Sequence, residues 1–314
     1  MKKINFDKKL IKKLVIVLVV LVIAVLACVA VRFYGYYPHY KSHKQAITYT
    51  AQPADTDTIR VMSSNVRCIN PTDLGKKSWY YRADLIIKNI ENQTPSIIGF
   101  QEVTKAQYAY LTECLTGFDS VIEYRDNSKI AEGCPIFYRT DCYKLIEKGS
   151  FWLSETPEKM SKDWGSACYR ICSYVILEDL ASGMQFVVFN THLDHVSDEA
   201  RIKGIGVVLD KISQFGGLPS MIMGDFNAEE GSTTYNDVTK DFLDAKYELE
   251  NPMISCTYQN FGKELDNECI DYFMISKTGI EVVDYKVVTD TFDGVYPSDH
   301  FPIFAEFKLT EAAE

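Results

Sequence analysis

Asp225 and Asn227 close the segment Leu218–Ala228, LPSMIMGDFNA, in which an apolar run from Met221 to Met223 is stopped by Gly224. Residues two apart on an extended chain share a face, so the spacing predicts that this carboxylate and amide converge on one spot. A carboxylate there accepts a proton or holds a metal, and an amide offers both donor and acceptor to a phosphoryl oxygen or an attacking water. By itself D-x-N after a strand is also ordinary turn chemistry. The same kind of ending recurs, however: Asn65 in IRVMSSNV, Glu102 in IIGFQEV, His192 and Asp194 in VVFNTHLDH, Asp271 in CIDYFMIS, and Asp299 and His300 in YPSDHFPIF. Apolar runs that finish repeatedly on a carboxylate, amide or imidazole describe sheet ends gathered around one pocket.

This ordered set resembles the endonuclease/exonuclease/phosphatase superfamily, from about Ile59 to Lys308. The resemblance implies an α/β fold, a four-layer α/β-sandwich of two packed mixed β-sheets flanked by helices, with two similar halves. It also implies hydrolysis of phosphate esters. That reaction needs charge neutralised on the phosphoryl oxygens, a nucleophile made from water and a stabilised leaving alkoxide, and a hard divalent ion serves the first and third needs. By resemblance Glu102 is the principal Mg²⁺ ligand, with Mn²⁺ as a substitute, assisted by Asn65, and Asp299 lies near the same metal. His300 matches the catalytic histidine, and Asp271 would accept from one of its ring nitrogens. Asp225 is the competing base, Asn227 would orient the nucleophile or phosphate, and His192 would bond a non-bridging oxygen. Asn190 and Arg170 are weaker candidates. Asp194 and His195 carry no definite role, and His195 is expected at the surface.

Periodicity supplies the elements that position these groups. Ile59–Asn65 reads as a first strand, Trp79–Glu91 as a helix, Ser96–Glu102 as a second strand and Lys105–Cys114 as a helix. Shorter strands are expected near Ser120–Tyr124, Ile136–Tyr138 and Tyr143–Leu153. Trp152, beside Pro157, packs in the core or borders the substrate groove. Tyr169–Leu177 and Gln185–Thr191 pair around Ala181-Ser182-Gly183, and Ser197–Gln214 is a helix opened by a Ser cap with Asp198 and Glu199 in its first turn.

The 314 residues are 46% apolar, enough for one globular domain over 59–314 with an appendage. The appendage is Leu14–Val31, uncharged and about 27 Å long as a helix, which fits a membrane anchor. Lys2, Lys3, Lys8, Lys9, Lys12 and Lys13 precede it against Asp7 alone, so residues 1–13 are expected to stay cytoplasmic and the domain to be extracytoplasmic at the cell membrane. Phe33, Tyr34, Tyr36 and Tyr37 suit the interface, and 32–58, with Gln52-Pro53, suits a tether. A cleaved signal peptide shares the basic start, and a lipoprotein would use Cys28, but the apolar run is long and no clear A-x-A site follows it.

Residues 33–314 hold 26 Lys and Arg against 42 Asp and Glu, a formal −16. Such a domain is poorly suited to gripping long nucleic acid, which relies on many basic contacts. A monomer acting on a small phosphoester or lipid head group is the first expectation, an exported nuclease the second, and an inactive surface module the third. Of the nine cysteines, Cys134 with Cys142 and Cys256 with Cys269 are pairs that an oxidising compartment would allow.

Overall fold

The structure is a computed structural model that describes residues 8–30, 40–41, 49–50, 58–250, 256–265 and 269–311. Lys2, Lys3, Asp7, Val31, the aromatic residues 33–37 and Gln52-Pro53 lie outside the described residues. The apolar N-terminal run forms a helix, Lys8–Ala30, that starts earlier than its uncharged stretch. Its large apolar side chains are 44–61% exposed, and none is buried against the described chain. By length and composition this helix could cross a membrane, and a signal sequence would pass the same test.

Two six-stranded sheets form the domain. The first orders Ile280–Val287, Ile303–Leu309, Ile59–Asn65, Ile97–Gln101, Ile136–Arg139 and Phe118–Val121. The second orders Phe242–Asp244, Asp271–Ser276, Ser220–Asp225, Gln185–His192, Ile171–Asp179 and Tyr143–Trp152. In each sheet the middle pair is parallel, with registers that end at Asn65↔Gln101 and His192↔Asp225. Parallel neighbours need a crossover, and the helices Trp79–Gln93 and Asp198–Ser213 supply it. Both middle pairs therefore deliver their carboxyl ends to the same side of their sheet.

Alternation decides which residues meet there. Val61, Ile97, Val188, Met221, Met223, Phe273 and Ile275 share one core between the sheets. Their chain neighbours Met62 and Ile98 pack outward with Trp79, Ile86, Tyr110 and Leu111, under the helices Trp79–Gln93 and Lys105–Cys114. Val187, Phe189, Ile222, Tyr272 and Met274 pack outward with Ile205 and Val208 of Asp198–Ser213. The arrangement is the expected sandwich of two mixed sheets between helical layers. Followed at period two, the inward face changes character near one end: Val61, Ser63, Asn65; Ile97, Gly99, Gln101; Val188, Asn190, His192; Met221, Met223, Asp225; Ile275, Phe273, Asp271.

Several boundaries differ from the sequence reading. The strand expected to stop before Gly224 runs through it to Asp225. Gly224 pairs with Thr191 at φ 140°, and a Cβ there would lie 1.9 Å from the Thr191 carbonyl oxygen. Gly224→Ala should therefore force these central strands apart, at a cost of about 3 kcal/mol, or roughly 6–12 °C in Tm for a domain of this size. Thermal unfolding followed by circular dichroism checks this, and a Tm within 2 °C of the parent, roughly the error of such a comparison, would contradict the close approach. The expected strand Ser96–Glu102 ends at Gln101, and Glu102 turns to φ 61°. The strand placed near Ser120–Tyr124 is Phe118–Val121, and the short helix Thr233–Thr239 has too few turns to show a period. Ser197 caps its helix as expected, accepting from the Ala200 amide.

Asn190 is fully buried between the sheets. It accepts from Gln101 Nε2 at 2.7 Å and donates to the Phe100 and Pro135 carbonyls, each at 2.8 Å. It pins one sheet to the other and does not line the cleft described below. No cysteine pair forms as the spacing allowed: Cys134 and Cys142 are separate thiols, and Cys256 and Cys269 donate to the Leu265 and Asp271 carbonyls.

Candidate active site

The polar end of the sandwich opens into a cleft of about 370 Å³ lined by Glu102, His192, Asp225, Asn227, Asp299 and His300 among others. Asn65 and Asp271 stand directly behind this lining. Asn65 Nδ2 donates to Glu102 Oε1 at 3.2 Å and Asp225 Oδ2 at 3.0 Å. Asp271 Oδ2 lies 2.9 Å from His300 Nδ1. Apart from Asp194, the residues singled out by strand endings are thus brought together, from both sheets, around one cleft.

His300 is held on both sides. Its Nδ1 meets Asp271, its Nε2 lies 3.7 Å from Asp225 Oδ2, and the Tyr258 ring packs edge-on at 5.1 Å between centroids. Burial opposes charge on the imidazole, but Asp271 and Asp225 outweigh it and push His300 up to about 10. Burial, and then the charge of Asp271, pushes Asp225 up to about 7. His192 Nε2 approaches Asp225 Oδ2 at 3.4 Å, and burial followed by the Arg170 charge keeps this imidazole neutral.

Asn227 does not extend the strand as its spacing suggested. Its φ is 47°, its amide N–H donates to Asp225 Oδ1 at 2.9 Å, and its Nδ2 donates to the Leu193 carbonyl at 3.1 Å. The D-x-N motif is a turn, and the turn places both side chains on the cleft.

Glu102 and Asp299 form the other side. Burial would raise Glu102, but the Cys68 amide at 2.9 Å, Arg67, His300 and Asn65 outweigh it and keep the carboxylate ionised. Asp299 is raised by burial, and the nearby Glu102 charge adds to that. Two close carboxylates with an amide beside them make an oxygen donor set of the kind a hard divalent cation takes, and the cation would relieve their repulsion. Asn65 turns its nitrogen toward Glu102 while its Oδ1 accepts from the Arg67 amide at 2.9 Å, so direct ligation would require the opposite amide orientation. Asp225, Asp271 and His300 also cluster, with ligand atoms within 4.8 Å of one another. Their oxygens and ring nitrogens are already engaged with each other, which suits proton handling better than a Mg²⁺ shell.

Basic residues that strand endings do not reveal complete the site. Arg82, fully buried on the helix Trp79–Gln93, donates to the carbonyls of Val66, Arg67, Lys77 and Pro297. It fastens the loop carrying Arg67 to the loop carrying Asp299 and His300, and Ser298 Oγ adds a bond to the Asn65 carbonyl at 2.6 Å. Arg67 pairs with Asp73 at 3.2 Å and Asp299 at 3.5 Å, and Arg125 is gripped by Glu132. Arg67, Arg125, Glu132, Tyr258 and Cys68 all line the cleft. Trp152 is half-buried and supports this wall through its Nε1 bond to the Arg125 carbonyl at 2.9 Å. His195 is exposed at the rim, as expected, whereas Asp194 is buried.

Residues 62–300 match the Endonuclease/Exonuclease/phosphatase family. Among solved structures, an endonuclease/exonuclease/phosphatase from Bacteroides vulgatus is 30% identical, with a TM-score of 0.76 over 81% of this chain and 99% of that one. A mannosyl-6-phosphatase from Bacteroides thetaiotaomicron is 32% identical, with a TM-score of 0.74 over 79% of this chain and 99% of that one. Among curated proteins, the CCR4-Not complex 3'-5'-exoribonuclease subunit Ccr4 of Yarrowia lipolytica is 24% identical across 81% of this chain and 48% of its own length. The chain spans about half the length of such curated relatives.

Proposed function

Since the chain belongs to the endonuclease/exonuclease/phosphatase family of phosphate-ester hydrolases, we propose that it is a membrane-anchored, Mg²⁺-dependent phosphoesterase working outside the cytoplasm on a small phosphoester or lipid head group. The observation that carries this reading is the change from apolar to polar along the inward face of both sheets, ending in Asn65, His192, Asp225 and Asp271 around one cleft. Glu102 and Asp299, with Asn65, would hold the cation, which supplies charge for the phosphoryl oxygens and the leaving alkoxide. His300, oriented by Asp271, keeps a proton at Nε2 beside Asp225, while Asp225 is placed to accept one from water. Asn227 and neutral His192 orient the phosphate and attacking water from the opposite side.

The exposed apolar helix and the lysines at and before its start support anchoring with the domain exported. The −16 balance over 33–314 and the likeness to a mannosyl-6-phosphatase support a small substrate. A nuclease is the second reading, favoured by the Ccr4 exoribonucleases and opposed by that charge.

With Mg²⁺ or Mn²⁺ the purified protein should hydrolyse members of a panel of sugar phosphates, nucleotides, inositol phosphates, sphingomyelin and RNA. Excess chelator should reduce turnover to background, and added Mg²⁺ should restore it. Full activity in chelator would remove the metal role, RNA cleavage rivalling small esters would favour the nuclease, and silence across the panel would favour a binding module.

A further inference from the structure

The stretch between the apolar helix and the first sheet touches the domain at two places. Tyr40 packs edge-on against Tyr80 at 5.4 Å between ring centroids, and tilted against Tyr110 at 5.5 Å. Tyr49–Thr50 forms a parallel pair with Leu115–Thr116, and Thr116 Oγ1 donates to the Tyr49 carbonyl at 3.1 Å. The Tyr49 ring is 5% exposed and packs on Phe118. Ring burial of this kind makes both points part of the fold, where the sequence suggested only a tether.

The order of the two contacts gives this stretch a direction. Tyr80 opens the helix Trp79–Gln93 beside Arg82, which bonds the cleft loops at Val66, Arg67 and Pro297. The helix Lys105–Cys114 also starts at the cleft, just after Glu102, and its other end leads into Leu115–Thr116. That end is remote from the cleft: Phe118 pairs with Arg139, whose amide donates to the Ser96 carbonyl ahead of the strand Ile97–Gln101. The chain thus meets the domain first at Tyr40, toward the cleft, and then at Tyr49, at the opposite end. Only residues 31–39 separate the apolar helix from Tyr40, a reach of at most about 35 Å. The helix therefore joins the domain from the cleft end.

The same end carries the apolar side chains that the fold leaves uncovered. Among the described residues of the domain, the four most exposed large apolar side chains are Leu74, Ile130, Val196 and Leu265, at 54–73%. They lie on four different loops, and each loop also lines the cleft, through Arg67, Arg125, His195 and Tyr258 respectively. Exposed apolar residues scattered singly are ordinary, but their collection around one opening marks a surface that meets something apolar.

From these two observations we propose that residues 40–50 clamp the domain with its cleft toward the membrane its helix crosses, so that the substrate is a phosphoester carried in the lipid head-group layer. This rests on the anchored-hydrolase reading above. A free tether would let the cleft face any direction, whereas the clamp leaves a short span and one approach. Leu74, Ile130, Val196 and Leu265 would then enter the boundary between head groups and acyl chains. A substrate confined to that layer is presented to the cleft at high effective concentration, and a dissolved one gains nothing from the arrangement.

The test places the full chain in phosphatidylcholine nanodiscs with Mg²⁺ and compares Ile130→Trp with Leu180→Trp, the latter on the turn at the end of its sheet remote from the cleft. Lipids brominated on their acyl chains should quench the emission added at position 130 about 2-fold and leave that added at position 180 unchanged. Tyr40→Ala, which removes both ring contacts, should abolish the difference, and Tyr40→Phe should keep it. Leu74→Asp combined with Ile130→Asp should lower hydrolysis of phosphatidic acid or sphingomyelin in the same bilayer about 10-fold, with soluble 4-nitrophenyl phosphate changed less than about 2-fold. Equal quenching at both positions, a difference that survives Tyr40→Ala, equal losses on lipid and soluble ester, or hydrolysis of the soluble ester with both lipids untouched would each overturn the proposal. The comparison of positions 130 and 180 decides alone if Tyr40→Ala does not fold. Quenching confined to position 130 in a protein that hydrolyses none of these esters would keep the orientation and refute the hydrolase reading instead.

Discussion

His300→Ala is expected to lower kcat by about 10²-fold or more while leaving Mg²⁺ affinity nearly unchanged, the scale on which an acid–base or electrostatic group acts. The separation follows from geometry. The imidazole is bonded to Asp271 at 2.9 Å and lies 3.7 Å from Asp225, and none of its bonds goes to Glu102 or Asn65. Removing it leaves Asp225 and Asp271 as two buried carboxylates without the cation between them, so the water-side proton chemistry should fail even where the metal is held. Asp271→Asn should show a weaker version, because an amide can keep contact with Nδ1 while losing the charge that orients the ring and favours its protonated form. The measurements are steady-state kinetics under saturating metal, with metal affinity from calorimetry. Normal turnover in a folded, metal-loaded His300→Ala protein would place the catalytic centre elsewhere.

Strand endings made most of this site legible because a sheet carries information at period two and the inward face is shared by both sheets. Asn65, His192, Asp225 and Asp271 each sit in phase with buried aliphatic or aromatic residues of their own strand, so their convergence is a consequence of register. Glu102 is legible by position, yet its conformation is not. It falls just past its strand at φ 61°, and only the Cys68 and Asn65 bonds show how that turn is held. Asn227 joins the cleft through a turn that period-two counting misrepresents.

Arg67, Arg82, Arg125 and Glu132 lay beyond that reading because they reach the site from loops, a helix and the two-residue strand Glu132–Gly133. Their partners are backbone carbonyls or acids brought near only by the tertiary fold, such as Arg82 with Pro297, or Arg67 with Asp299. Asn190 shows the converse error. Its strand and phase are those of His192, but it lies deeper, and its bonds to Phe100, Pro135 and Gln101 make it a clamp between sheets.

Glu102→Ala should fail in a different way from His300→Ala. The apparent Mg²⁺ affinity is expected to fall by about 10²-fold or more, and raising the metal concentration should recover part of the lost turnover. Glu102 is held below the usual carboxylate range whereas Asp299 is pushed up, and the Glu102 oxygens are anchored by the Cys68 amide at 2.9 Å and Asn65 Nδ2 at 3.2 Å. Truncation removes charge from the proposed cation position but leaves His300, Asp271 and Asp225 in contact, so the proton-handling side persists and needs only the metal to be supplied by mass action. Glu102→Gln separates charge from shape: it can keep the bond from Cys68 while losing the charge that attracts a cation, and should resemble the alanine variant in metal affinity. Because Glu102 repels Asp299, Glu102→Gln, which keeps the bond from Cys68 and loses the repulsion, should not greatly lower thermal stability in the absence of metal. Titrating activity against Mg²⁺ for the parent and both variants decides. An unchanged metal midpoint with reduced kcat would show that Glu102 acts on the substrate and that the cation is held by other groups.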